Sequence, residues 1–253
     1  MMKKNIILLI ILLFEAMPSS AQSGWERALS GLIKITEAIS IDNREFAEAV
    51  KEEVLYLDTQ NKVLPTGNAY SKRLARLTKG MSNADGIPLN FKVYQTTEVN
   101  AFACPDGSVR VYSALMDALT DDELLGVLGH EIGHVALRHS HKAWRDALLR
   151  SAASDALGVV SNKWARLSDS MLGSLSSVAI SAKHSRYHET EADDFGYEFL
   201  KQCGKDPMVM VKMFEKLKKL SNQGSSSRYS KWLGAFSSHP DFDERIERIK
   251  AKQ

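Results

Sequence analysis

The residues with the clearest chemistry are two histidines and a glutamate in the run His130-Glu131-Ile132-Gly133-His134. Histidines four residues apart on a helix leave the same face, and two imidazoles placed in this way can bind Zn²⁺. Glu131 follows the first histidine, so its carboxylate is expected to reach a water beside the metal rather than the metal itself. It would then be the general base of hydrolysis.

Catalytic zinc usually has three protein ligands, so the third must come from elsewhere in the chain. Leu137 and Ser140 stand where the extended metzincin pattern requires glycine and histidine, which excludes that class. The better candidate is Glu189, which shares a helix face with Asp193, while Glu191 projects elsewhere. Glu189 would bind the metal, and Asp193 would accept the second N–H of a ligand histidine. The alternative for this acidic cluster is a solvated helix start.

The elements that position these residues follow from periodicity and turn signals. Thr120 and Glu123 form a capping box that begins the zinc helix, which we predict to run to about His141. Alternating residues predict strands over 89–95, 99–103 and 108–112, the last two joined as a hairpin by Pro105-Asp106-Gly107. Further helices are predicted over 42–61, 70–78, 143–160, 163–183, 188–202, 208–220 and 242–250. The fold class is therefore α+β, predominantly helical, with a small sheet beside the zinc helix.

The first residues are typical of a secretory signal peptide. Lys3 and Lys4 precede an apolar run over 6–14, and small residues precede an expected cut after Ala21. We therefore predict a signal peptide over 1–21 and a single zinc metallopeptidase domain over 22–253. No later run is long enough for a transmembrane helix, so no transmembrane anchor is expected in the mature chain.

Composition and charge limit the partners and the compartment. The whole chain has 33 Lys+Arg, 31 Asp+Glu and a net charge of +2, which gives no reason to expect nucleic acid. We expect an exported, periplasmic protein, with association with envelope proteins and a position peripheral to the outer membrane left open. Export permits a disulfide between Cys104 and Cys203, which we favour over two free thiols. For His184 and His188, exposed histidines are favoured over a second metal site.

The zinc motif at 130–134 followed by the cluster at 189–193 resembles the zinc endopeptidases of the HtpX, Ste and Oma type, peptidase family M48. The segments 99–103 and 109–113, and the downstream Ser238-His239-Pro240 with Glu244-Arg245, are also similar to elements of that family. The resemblance extends over about 42–250 and is closest to the small periplasmic LoiP-like branch. The chain differs from the LoiP lipoproteins in having no lipid-acceptor cysteine near the expected cut.

The resemblance implies a zincin-like (gluzincin) domain and assigns roles to residues. It implies one Zn²⁺ per chain held by His130, His134 and Glu189, with Glu131 as general base and acid. It also implies that His239 lies near the metal, where it would stabilise the oxyanion or cap the zinc. A simple position at the start of a helix is the alternative for His239.

Substrate binding can be argued from the strands. An exposed strand edge beside the zinc helix would pair with an extended peptide, and the candidates are Asn100, Ala101, Phe102 and Ala103. A strand covered by its neighbours is the alternative. Because a folded protein offers no free strand, we expect the substrates to be unfolded or misassembled exported proteins. The competing hypotheses are a chaperone-like or binding protein with a closed or structural zinc site, and an interaction module with an accidental motif.

Overall fold

The computed structural model describes Thr36 and residues 40–156, 185–223 and 242–253. The chain divides into two compact units. One comprises residues 1–42 and 145–171, in which the described part is Thr36, residues 40–42 and the helical residues 145–156. The other comprises residues 43–144 and 172–253 and contains the sheets. The predicted signal peptide and the predicted helix over 163–183 lie outside the described residues, as do His184 and the segment 238–240 that contains His239.

The described residues form helices and two small sheets, which confirms the α+β fold class. In chain order the elements are α1 (Asn43–Gln60), α2 (Ala69–Leu77), β1 (Asn83–Ala84), β2 (Ile87–Pro88), β3 (Asn90–Tyr94), β4 (Ala101–Ala103), β5 (Ser108–Tyr112), α3 (Ser113–Ala118), α4 (Asp121–Ala136), α5 (His139–Ala156), α6 (Arg186–Gln202), α7 (Val209–Gln223) and α8 (Phe242–Lys250). The short α3 and the two-residue strands β1 and β2 were not predicted, because such short segments carry no readable periodicity.

The three-stranded sheet has the order β3-β5-β4, with β5 at its centre. The predicted hairpin is confirmed, since β4 pairs antiparallel with β5 and Ala101 lies opposite Val111. The parallel pairing of β3 with β5 was not predicted. Val93, Val109 and Val111 are buried and belong to the main hydrophobic core. In the described part of the chain, β4 forms one edge of this sheet and β3 the other.

Helix α4 is the central element of the second unit. Its capping box is confirmed, because the Thr120 hydroxyl accepts from the Glu123 N–H and the Glu123 carboxylate accepts from the Thr120 N–H. Every residue from Leu124 to Ala136 is buried. The helix packs against α6, α7 and β4, so its side chains meet other elements on most sides.

The prediction that this helix continues to His141 is wrong. Helix α4 ends at Ala136, and Arg138 adopts a left-handed conformation with φ 57° before α5 begins at His139. The Arg138 guanidinium binds the carboxylate of Asp85 and, at 3.1 Å, the Asp85 carbonyl. Asp85 is itself left-handed, with φ 48°. Since L-residues rarely adopt this conformation, the break depends on tertiary contacts that the local sequence does not reveal.

The predicted disulfide is also wrong. Cys104 follows β4 and is buried as a free thiol, whereas Cys203 is a free thiol exposed at the end of α6. Burial is the main cause that raises the pKa of Cys104, so the thiol stays protonated and packs as a small apolar group. Among the described helices, none combines the length and apolar character required to cross a membrane.

Candidate metal centre

Glycines bring α4 and α6 unusually close together. A Cβ on Gly129 would lie 2.6 Å from the Phe199 ring and 3.1 Å from the Cα of Gly196. A Cβ on Gly196 would lie 3.2 Å from the backbone nitrogen of His130. The two helices therefore approach with backbone almost against backbone, and side chains that follow on each helix can meet between them.

Three metal-binding side chains meet at this crossing. His130 and His134 come from α4 and Glu189 from the first turn of α6, and all three are buried. The two histidine Nε2 atoms lie 3.0 Å apart. Each lies 3.5 Å from a carboxylate oxygen of Glu189. Donors on a tetrahedral zinc ion at 2.0–2.1 Å lie about 3.3 Å from one another, so this set of two imidazoles and one carboxylate fits zinc.

Asp193 fixes the orientation of His130. Its Oδ1 lies 2.9 Å from His130 Nδ1, and because an ionised carboxylate only accepts, this contact assigns the ring an Nδ1–H donor. The Nη2 of Arg245 lies 3.2 Å from the same nitrogen and makes its shorter contact, 2.6 Å, with Asp193 Oδ1. That tautomer leaves the lone pair of Nε2 on the side of His134 and Glu189. A carboxylate that accepts the second N–H is the usual partner of a metal-binding histidine.

Arg245, in α8, joins the two acidic residues of the site. Its guanidinium donates to both oxygens of Asp193, at 2.9 and 2.6 Å, and lies 3.2 Å from Glu189. It also lies over the Phe214 ring, 4.3 Å from the centroid. Burial by itself would raise the pKa of Asp193, but Arg245 and the hydrogen bond from His130 together lower it well below its ordinary value. Asp193 is therefore ionised at neutral pH.

Glu131 follows His130 on α4 and is not one of the three metal-binding side chains. It is buried. Burial is the main cause that raises the pKa of the Cys104 thiol, and the charge of Glu131 adds to it. Glu131 belongs to the helix that packs against β4.

Comparison with known proteins decides the family. Residues 68–253 match the sequence model described as Peptidase family M48. The chain belongs to peptidase family M48.

Two relatives from Escherichia coli (strain K12) resemble this M48 chain over most of its length. Metalloprotease YcaL is 37% identical over 254 residues, which cover 98% of this chain and 97% of YcaL. Metalloprotease LoiP is 37% identical over 227 residues, 88% of this chain and 86% of LoiP. A putative beta-barrel assembly-enhancing protease from Vibrio cholerae is 28% identical over 81% of this chain and 45% of its own length. These findings confirm that the chain belongs to the LoiP-like branch of the family, and they show that it is a metalloprotease.

The M48 chain places the remaining predicted site residues at different positions. Asn100 precedes the edge strand β4, which holds Ala101, Phe102 and Ala103. Glu191 is outside the three-residue metal-binding group, as expected. His188 is buried and its ring stacks on that of His139, so the expectation of an exposed histidine there is wrong. Within the described residues, no second group of metal-binding side chains includes His188.

Sequence analysis missed two residues of this M48 site. Arg245 was noted only as part of the family's closing element, and no charge count reveals that it is buried beside Asp193. His139 was passed over, although it lies 2.8 Å from His134. Burial, and next the charge of His188, lower the pKa of His139 to about 3, so it is neutral at neutral pH. The signal that could have found it is the density of histidines after the zinc motif.

Proposed function

We propose that this M48 metalloprotease is a zinc-dependent endopeptidase of the cell envelope that hydrolyses peptide bonds of unfolded or misassembled exported proteins. One observation carries the proposal: two imidazoles and a carboxylate converge in a buried site, and Glu131, the residue after His130 on the same helix, is also buried. His130, His134 and Glu189 would hold one zinc ion per chain. A site that only bound zinc for structure would have no use for a buried glutamate at that place.

The chemistry divides between the metal and Glu131. Zinc, when bound, supplies Lewis acidity toward the scissile carbonyl and lowers the pKa of water beside it. The Glu131 carboxylate takes a proton from the attacking water and later delivers it to the nitrogen of the leaving amine. Asp193 keeps His130 in the tautomer that binds metal.

The edge strand β4 would bind the substrate backbone. On its other side it pairs with β5, and it packs against α4, which carries the ligands and the base. A peptide added to this edge would form main-chain hydrogen bonds along Asn100, Ala101, Phe102 and Ala103. Phe102 and Ala103 are partly exposed, so they are accessible to a partner strand. Only an extended segment can pair in this way, which favours unfolded substrates.

The location in the envelope rests on the predicted signal peptide over 1–21 and on the relatives. The Vibrio cholerae relative is named for enhancing beta-barrel assembly, and a similar role here would supply misassembled barrel proteins as substrates. His239 remains a candidate for stabilising the oxyanion or capping the metal. It lies outside the described residues.

Cleavage of casein by the mature protein tests the proposal. The wild type and Glu131→Gln are compared at equal, measured zinc content, and we expect the variant to lose about 10²- to 10⁴-fold in kcat. Glu123→Gln is the matched control, because it makes the same change on the same helix at the capping box, away from the ligands. It should cleave as the wild type does. A folded, disulfide-bonded protein should be cleaved faster after reduction and alkylation than in its native form.

Two results would contradict the proposal. Equal cleavage by wild type and Glu131→Gln would remove the base from its assigned role. Zinc binding without cleavage by either protein, combined with equal suppression of aggregation by both, would favour the chaperone-like alternative.

A further inference from the structure

We propose that His139, anchored by Glu191, is a positioning residue that sets the tautomer and ring orientation of the metal ligand His134. The inference rests on the metal site of the proposed function and adds to it two residues that do not bind the metal. It assigns to His134 the support that Asp193 gives to His130.

The contacts form a chain from the surface to the ligand. His139 is fully buried, and its Nδ1 lies 2.8 Å from Nδ1 of His134. Its other nitrogen, Nε2, lies 3.3 Å from a carboxylate oxygen of Glu191. Glu191 is partly exposed, with 27% of its side chain accessible. The His134 ring is therefore linked to a solvated carboxylate through one intervening imidazole.

The positions of the protons follow from these contacts. A carboxylate only accepts, so His139 carries its proton on Nε2 and donates it to Glu191. The Nδ1 of His139 is then an acceptor, and the proton between the two Nδ1 atoms belongs to His134. This leaves the lone pair of His134 on Nε2, which faces Nε2 of His130 and Oε1 of Glu189. His134 is thereby held in the one tautomer that can bind metal at this site.

The helix break is what brings His139 to His134. On a continuous α-helix, residues five apart are separated by about 140° around the axis, so the two rings would leave different faces. The left-handed Arg138, held by Asp85, interrupts the helix between the end of α4 and the start of α5 at His139. His188 of α6 stacks on the His139 ring with centroids 4.5 Å apart and an angle of 16°. Two elements therefore fix the ring that supports His134.

The test separates the acceptor of His139 from its volume. His139→Asn keeps an acceptor oxygen close to the position of Nδ1, whereas His139→Phe keeps a buried ring without an acceptor. We measure the dissociation constant of Zn²⁺ by competition with a chromogenic chelator, and the visible absorption of the Co²⁺ form. Partners of metal-bound histidines contribute about 10- to 100-fold in metal affinity, so His139→Phe should weaken zinc binding by that factor. His139→Asn should stay within about threefold of the wild type, with a similar Co²⁺ spectrum.

Two further variants keep the test decisive. Ser140→Ala, at the next and also buried residue, is the control and should bind zinc as the wild type does. Glu191→Ala changes a partly exposed position, so it serves if His139→Phe does not fold, and it should weaken zinc by about 3- to 10-fold. Circular dichroism and unfolding curves of the metal-free proteins establish that each variant is folded.

The outcomes distinguish this inference from the proposed function. Equal zinc affinities for His139→Phe and the wild type, or equal losses for His139→Phe and His139→Asn, would overturn the positioning role. An unchanged affinity in Glu191→Ala would overturn the anchor. A wild type that binds no zinc would instead overturn the proposed function itself. The zinc affinities are measured without Glu131→Gln, so the result is independent of the cleavage test.

Discussion

At the sheet, Arg110 of β5 pairs with Asp58 of α1, and at the metal centre Arg245 of α8 pairs with Asp193 of α6. Both pairs are largely buried, and both use two nitrogens of the guanidinium on one carboxylate. They differ in what surrounds them. That difference separates a cluster that only holds elements together from one that is built to receive a cation.

The sheet cluster is balanced between donors and acceptors. The oxygens of Asp58 accept from Tyr94 at 2.6 Å, from Lys92 at 2.7 Å and from two nitrogens of Arg110 at 2.8 and 3.0 Å. The remaining Arg110 nitrogen donates to the carbonyl and the side chain of Asn90. Each close contact joins a donor to an acceptor, so the cluster needs no further ion to bind α1 to the sheet.

The metal-centre cluster places acceptors against acceptors. The Nε2 atoms of His130 and His134 face one another and the oxygens of Glu189, while their donor sides are occupied by Asp193 and His139. Facing lone pairs repel unless a cation lies between them. Arg245 supplies the positive charge that keeps the two carboxylates buried, and it leaves the convergence of the three metal-binding atoms intact. A buried group of converging acceptors is thus what distinguishes the candidate metal centre from the sheet cluster.

The largest effect on stability is expected from Asp193→Asn. The substitution leaves the buried Arg245 without its main partner, and breaking such a pair costs about 3–5 kcal/mol of the free energy of unfolding. Urea unfolding of the metal-free proteins measures this cost. Asp194→Asn is the matched control, since Asp194 is next in the chain and its side chain is 45% exposed in contact with Arg248 and Lys252.

The control variant should lose only about 0–1 kcal/mol, because exposed ion pairs contribute little. Adding Arg245→Met to Asp193→Asn should recover part of the loss, because the unpaired buried charge is then gone. If Asp193→Asn loses no more free energy of unfolding than Asp194→Asn, the buried pair at the metal centre contributes no more to stability than an exposed ion pair.

The second-largest effect is the gain in free energy of unfolding on zinc binding, which should depend on the metal-centre cluster and not on the sheet cluster. A ligand that binds only the folded state at a hundred times its dissociation constant stabilises it by about 2.7 kcal/mol. We expect that gain in the wild type and in Asp58→Asn, and its loss in Glu189→Gln, which lacks a ligand charge. Unfolding with excess zinc and with EDTA measures it. A zinc gain that disappears in Asp58→Asn would show that the two clusters are coupled and do not act independently.

Sequence patterns predicted the metal centre better than they predicted what supports it. The spacing of His130 and His134 and the capping box at Thr120 follow local rules of helix geometry, so they are readable from the chain. Glu189 and Asp193 were found because a helix face relates them. Each of these predictions depends on residues within one turn of each other.

The remaining features depend on contacts between distant segments. The break before His139 requires Asp85 to hold Arg138, and these residues are 53 positions apart. Arg245 meets Asp193 across 52 positions, and the close approach of α4 and α6 depends on Gly129 meeting Gly196. No local periodicity encodes such meetings. The disulfide was mispredicted for the same reason, since a permissive compartment says nothing of where two cysteines lie.

The smallest expected effect is the change with pH in the contribution of Asp58 to the free energy of unfolding. Burial would raise the pKa of Asp58, but hydrogen bonds from Arg110, Lys92 and Tyr94 lower it from 3.8 to about 2. A carboxyl whose pKa is lowered on folding stabilises the protein above its unfolded pKa and loses that contribution as the pH falls toward the folded value. The shift corresponds to about 2 kcal/mol, present at pH 6 and lost progressively between about pH 5 and pH 2.

Urea unfolding of the wild type and Asp58→Asn in EDTA at pH 6, 4 and 3 isolates this contribution, because the two proteins share every other titrating group, including Asp193. The difference in their free energies of unfolding should shrink as the pH falls. A constant difference would mean that Asp58 acts through packing and hydrogen bonds that its protonated form also makes. In that case the balance of charge at the sheet would matter less than its geometry, and the contrast with the metal centre would rest on the arrangement of acceptors alone.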